Sequence, residues 1–203
     1  YSMLQRGDGY GVFQFEAPQV KRMLIDGRPE TVEDLAAITA ANRPGPLTSG
    51  NTARYLENRK ARQAGTSLYP SITEILEPTG GVLLFQEQVL EIARKLGGFT
   101  LGEADLLRKA MGKKDFKVMR AQQEQFMAGA AQGGVPSREA EQIWDMMLQF
   151  AGYGFNKAHA VCYAMIAYQT AYLKAHYPAE YMTAVLMHAG SHPAGAHARI
   201  AAA

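Results

Sequence analysis

Phe150-Ala-Gly-Tyr-Gly-Phe-Asn-Lys-Ala-His159 decides how this chain is read. Gly152 and Gly154 break whatever helix precedes them and let the backbone turn sharply. Asn156 is a favourable N-cap, and a long uncharged helix runs from it to about Tyr177-Pro178. Lys157 and His159 fall in the first turn of that helix. A helix N-terminus already carries partial positive charge, so a cation there is unfavourable unless an anion such as a phosphate joins it. Two readings stand on the residues alone. One is an anion site. The other is an ordinary helix–loop–helix joint, with Lys157 solvated and His159 capped by a neighbour.

Composition narrows the classes. A chain of 203 residues with 47% hydrophobic content sustains one sizeable core or two small ones. Net charge is only +2, so any nucleic-acid site is a local patch. The single cysteine, Cys162, excludes a disulfide framework and a thiolate metal cluster, and it fits a reducing, cytoplasmic setting. The histidines at 159, 176, 188, 192 and 197 lack ligand spacing, so no metal site is expected. There is no Walker loop, no Gly-x-Ser-x-Gly and no Asp-x-Asp pair. The uncharged run from Ala158 to Leu173 is too short and too polar to span a bilayer and reads as a buried helix. No membrane partner is expected. The start lacks a signal-peptide pattern. It falls in the middle of a helical pattern, as in a piece of something larger. Residues 190–203 are low in complexity and are expected to be poorly ordered.

Working outward, Val12-Phe-Gln-Phe15 alternates as a short strand would, and Gly81-Val-Leu-Leu-Phe85 reads as a second strand to pair with it. The rest is helical. Thr31 with Asp34, Ser71 with Glu74, and Thr100 with Glu103 have capping-box spacing. Arg43-Pro-Gly-Pro46 makes a stiff, extended turn that either presents an arginine or merely ends a helix. Residues 51–64 are basic, with Arg54 and Arg59 on an exposed helix or hairpin; solvation of a face is the simpler reading and phosphate-backbone contact the other. Gln86-Glu-Gln88 is a polar cluster that serves a site or caps the helix after it, capping being the simpler reading.

Arg108-Lys-Ala-Met-Gly-Lys-Lys114 concentrates more positive charge on a helix than stability requires. Asp105 and Lys109 attract across one turn, whereas Lys109 and Lys113 repel. Gly112 lets a partner approach the backbone, and a triphosphate or a nucleic-acid backbone is the natural anion.

Six ordered stretches carry a resemblance: Gly-Val-Phe-Gln-Phe-Glu16, Arg-Pro-Gly-Pro46, Phe-Gln-Glu-Gln88, Gly-Glu-Ala-Asp-Leu-Leu-Arg-Lys-Ala-Met-Gly-Lys-Lys114, Phe-Ala-Gly-Tyr-Gly-Phe-Asn-Lys-Ala-His159 and Tyr-Gln-Thr-Ala-Tyr-Leu-Lys-Ala-His-Tyr-Pro-Ala-Glu180. Together they resemble the C-family replicative DNA polymerases, the family of the bacterial DNA polymerase III alpha subunit. The resemblance runs to about Gly190. It implies a mainly α-helical fingers domain over residues 1–189, with the two short strands near 12–15 and 82–85, followed by the 190–203 tail.

By motif, the resemblance assigns Arg108 and Lys109 to the triphosphate of an incoming deoxynucleotide. Tyr153, Asn156 and His159 line the nucleotide pocket, with Lys157 nearby. Lys113, Lys114, Arg43, Arg54 and Arg59 are candidates for DNA or phosphate contact. The implied partners are dNTP, primer-template DNA, the remaining domains of the alpha subunit, and the replicase with its sliding clamp, clamp loader and proofreading exonuclease. The implied Mg2+ ions belong to palm carboxylates outside this segment, so the segment holds no catalytic residue and is not expected to polymerise alone. Two departures matter: Ala158 stands where the family usually has serine, and Lys109 where it often has arginine, which loses a bidentate fork. The alternative is a non-catalytic helical nucleic-acid-binding module or a truncated relic. The nucleotide reading requires residues 108–114 and the turn at 153–159 to meet in space.

Overall fold

A computed structural model describes residues 1–61, 69–113, 115–150 and 153–188. In chain order the helices are α1 (Ser2–Gln5), α2 (Pro18–Gly27), α3 (Val32–Ala41), α4 (Pro44–Thr48), α5 (Asn51–Lys60), α6 (Thr73–Leu76), α7 (Gln86–Gly97), α8 (Leu101–Lys113), α9 (Phe116–Gln132), α10 (Ser137–Phe150), α11 (Lys157–His176) and α12 (Pro178–Met187). Short 3-10 turns occupy Pro70–Ile72 and Glu77–Thr79. The chain divides into two compact units, one of Tyr1–Asn42 with the chain from Ala158 onward, the other of Arg43–Lys157. The tail expected to be poorly ordered, residues 190–203, lies outside the described residues.

In the first unit the α3 capping box forms as its spacing predicts. The Thr31 hydroxyl accepts the Asp34 N–H at 3.1 Å, and the Asp34 carboxylate accepts the Glu30 and Thr31 N–H groups at 2.9 and 3.1 Å. Leu24, Leu35 and Ile38 are fully buried behind it. The expected strand at 12–15 does not form. Gln14 adopts a left-handed φ of 64°, and Val12 and Phe15 close tight turns onto the carbonyls of Gly9 and Val12. Side chains from α11 and α12 satisfy this loop instead. Thr170 accepts the Phe13 N–H at 3.1 Å, Lys174 donates to the Tyr10 carbonyl and pairs with Asp8, and Tyr181 donates to the Gly11 carbonyl.

The uncharged run of α11 from Ala158 to Leu173 is not buried all round, contrary to the reading of the sequence. Its buried face is the small-residue row Ala160, Ala164, Ala167 and Ala171. Met165, Ile166, Tyr172 and Leu173 are exposed.

In the second unit α7, α8 and α9 pack against one another and α10 packs on α9. Ile92, Leu107, Phe126, Ile143 and Trp144 are at the centre of its core, with the Phe126 and Trp144 rings 5.4 Å apart. Helices α7 and α9 cross in backbone contact: a Cβ added at Gly129 would meet the Gly97 carbonyl oxygen at 2.2 Å. Gly129→Ala must therefore pry two helices apart. We expect it to cost about 2 kcal/mol or more, as overpacking against backbone does, read as a lower urea midpoint for the fluorescence of Trp144.

The second expected strand, at 81–85, is also absent; among the described residues there is no β-strand. The segment makes one isolated parallel bridge, Phe85 to Phe155. Its amides turn elsewhere because Gln88 takes two of them. The Leu84 and Phe85 N–H groups both donate to Gln88 Oε1 at 3.0 Å. Gln88 thus caps α7 as the simpler reading of the cluster had it, while its Nε2 donates to the Ile75 carbonyl at 3.0 Å and to Thr79 Oγ1 at 2.7 Å. Thr100 and Glu103 cap α8 reciprocally. Ser71 does not cap a helix; it lies in a 3-10 turn and its N–H donates to Glu139.

Candidate phosphate-binding cleft

The cleft is built from three pieces of the second unit: the start of α7, the last two turns of α8, and the turn after α10. Gln86, Val89, Arg108, Lys109, Met111, Gly112, Lys113, Phe150 and Gly154 line a space of about 240 Å³. Residues 108–113 and the 154 side of the glycine turn therefore share one cleft. Lys114, Ala151 and Gly152 lie outside the described residues. His159 belongs to the other unit, where its ring packs at 4.3 Å from that of Tyr163.

On α8 the basic pair is already organised. Asp105 Oδ1 accepts Arg108 Nε and Nη2 at 2.9 and 2.8 Å, and its Oδ2 meets Lys109 Nζ at 2.7 Å. Lys109 first, then Arg108, hold the Asp105 carboxyl below its ordinary value. The expected Asp105–Lys109 pair is thus present. Lys113 has no acidic partner among the described residues. The local charge of Arg108, Lys109 and Lys113 less Asp105 is strongly positive.

Gln86 ties the basic helix to the glycine turn. Its Nε2 donates to the Gly154 carbonyl at 3.1 Å, and its Oε1 lies 3.5 Å from Arg108 Nη1. Gly154 must be a glycine for this approach, because a Cβ there would stand 2.7 Å from Gln86 Cγ. The backbone completes the tie: Gln86 N donates to the Phe155 carbonyl at 2.9 Å and Phe155 N to that of Leu84 at 3.3 Å.

Arg43 and the turn after it hold the other side of the loop. The Arg43 Nη2 donates to the Tyr153 carbonyl at 2.7 Å, and its guanidinium carbon sits 4.2 Å from the centre of the Phe155 ring. Burial pushes the Arg43 guanidinium below its ordinary value, yet arginine stays charged. The Pro-Gly-Pro that follows is not the extended turn the sequence suggested. It opens the short helix α4, with Pro44 in the first turn, where a missing N–H costs nothing. Gly45 lies against Tyr153, and a Cβ there would meet the ring at 2.1 Å. Arg43 is thereby engaged with the loop.

Lys157 and Asn156 answer the question raised by the helix N-terminus. The anion at the start of α11 is Glu87: its carboxylate accepts Asn156 Nδ2 at 2.8 Å and the Lys157 backbone N–H at 2.9 Å. The partial positive charge of the helix end is thus met by a protein carboxylate. Of the exposed basic residues on α5, Arg54 lines a second groove of about 360 Å³ with Asn51, Gln142, Asp145 and Gln149. Arg59 sits in the last turn of α5.

Reading the sequence left Gln86 and Glu87 open between serving a site and capping a helix, and it did not place Gly45. Three polar residues directly after a buried apolar run were the available signal for the first two; nothing local marks Gly45. Among the described residues no group of three or more His, Cys, Asp or Glu side chains could hold a metal ion. No helix among them is long and apolar enough to cross a membrane.

A family description, the bacterial DNA polymerase III alpha subunit finger domain, matches residues 1–134. The chain is 45% identical over 191 residues to the DNA polymerase III subunit alpha of Pasteurella multocida and 44% identical over 193 residues to that of Escherichia coli. It is 42% identical over 186 residues to that of Helicobacter pylori. Each alignment takes in 92% of this chain but only 15–16% of the relative, so the chain spans about a sixth of those proteins.

Proposed function

This chain belongs to the finger-domain family of the bacterial DNA polymerase III alpha subunit, and from that premise we propose that its basic cleft takes the triphosphate of an incoming deoxynucleotide during DNA replication. The observation that carries this reading is the shared cleft of Arg108, Lys109 and Gly154. The reaction is attack of a primer 3′-hydroxyl on the α-phosphorus with loss of pyrophosphate. Charge grows on the phosphate oxygens as that happens, and fixed cations stabilise it without reorganising. Arg108 and Lys109 neutralise the β- and γ-phosphates. Tyr153 and Asn156 position the nucleotide, with Lys157 beside them. Arg43, Gln86 and Glu87 hold the loop that carries Tyr153 and Asn156.

Lys113, Lys114, Arg54 and Arg59 are assigned to the DNA backbone. The magnesium ions of such chemistry need grouped carboxylates. Asp105 is committed to two cations, and among the described residues no group of three or more His, Cys, Asp or Glu side chains could hold a metal ion. The residues here do not fit a metal, and we assign this chain no metal-dependent step. The working enzyme then includes the rest of the alpha subunit, with the clamp, clamp loader and exonuclease as its replication partners in the bacterial cytoplasm.

Titrating the 203-residue chain separately with dNTP and with primer-template DNA tests this. Nucleotide should bind, and its affinity should fall as salt rises. Binding of DNA with no binding of nucleotide would replace this reading with that of a helical nucleic-acid-binding module.

A further inference from the structure

We propose that Asp105 is a positioning residue of the cleft: by gripping one edge of the Arg108 guanidinium it leaves the other edge set for a two-point hold on a phosphate group. This rests on the triphosphate reading of the same cleft. A guanidinium is a flat fork with five N–H donors. Asp105 Oδ1 takes the Nε and Nη2 donors at 2.9 and 2.8 Å, which lie along one edge. Gln86 Oε1 lies 3.5 Å from Nη1. Counting donors, one N–H then remains on each terminal nitrogen, on a side chain that lines the cleft. Those two donors match two oxygens of one phosphate.

A purely electrostatic view gives the opposite expectation. A carboxylate beside a triphosphate repels it, so every neutral replacement of Asp105 should tighten binding alike. The geometry separates two neutral replacements instead. Both bonds from Arg108 go to a single oxygen, Oδ1. Asp105→Asn keeps an acceptor oxygen there, and Asp105→Ala removes it.

The test is calorimetric titration of the full chain with inorganic tripolyphosphate and with dATP, for the wild type, Asp105→Asn and Asp105→Ala. Alanine is the best helix former, so the Ala variant should fold, and a thermal melt checks it. Asp105→Ala should bind about tenfold more weakly than Asp105→Asn, the scale of one mis-set charge-assisted contact. The gap should vanish when the same pair is compared on an Arg108→Lys background, because an ammonium has no edge to set. Equal affinities for the Asn and Ala variants, or a gap that survives Arg108→Lys, would overturn the assignment. If the wild type binds neither ligand, the triphosphate reading fails as well, and that result is distinct from equal binding by the variants.

Discussion

Gln88→Ala should lower the unfolding free energy of the second unit by about 3–5 kcal/mol, the largest stability effect expected of any single replacement here. The side chain is buried, at 6% exposure, and serves four groups. Two of them, the Leu84 and Phe85 N–H groups, receive no other protein bond in its absence and lie where water does not reach. Each orphaned buried donor costs about 1–3 kcal/mol, and the lost side chain leaves a void besides. The same loss frees the segment that leads into Gln86 and Glu87, so the glycine turn loses its anchor. Trp144, the one tryptophan, is buried in this unit, and its fluorescence through a urea titration reads the effect. Gln88→Glu keeps an acceptor for the two amides but loses the donors to Ile75 and Thr79. It should fall between the wild type and the alanine variant.

Arg108→Ala should weaken triphosphate binding by about 10- to 100-fold, the range of a lost charge-assisted hydrogen-bonded contact. Lys109→Ala should cost less, about threefold, because Lys109 is 59% exposed and acts as a screened point charge. Arg108→Lys should recover little, since the charge returns without the fork. Calorimetric titration with dATP at constant salt measures all three. An Arg108→Ala variant that binds as the wild type does would detach the basic helix from the ligand and leave its charge to solvation.

The features legible in the sequence were local ones. The boxes at Thr31–Asp34 and Thr100–Glu103 form because both halves lie within one turn and need no distant partner. The boundaries of α11 followed from the glycines before it and Pro178 after it. The two strands failed for the converse reason. Alternation at 12–15 says which side chains are apolar, but the backbone partners of that loop come from Thr170, Lys174 and Tyr181, far along the chain. At 81–85 the amides are claimed by a glutamine side chain rather than by a second strand.

The candidate site divides the same way. Excess charge at 108–113 and the unusual cation at the start of α11 were visible as local anomalies. That Glu87 supplies the anion at that helix end was not visible, because a carboxylate 70 residues away leaves no mark on the local pattern. Arg43 shows the same limit: its bond to the Tyr153 carbonyl joins residues 110 apart.

The most direct measurement follows the arginine side chains themselves. Tripolyphosphate titrated into the chain labelled with nitrogen-15 arginine should shift the Nε–H signal of Arg108 along a saturating curve while those of Arg54 and Arg59 stay in place. If saturating tripolyphosphate moves the arginines of α5 and leaves Arg108 fixed, the cleft between α8 and the glycine turn is not where phosphate binds.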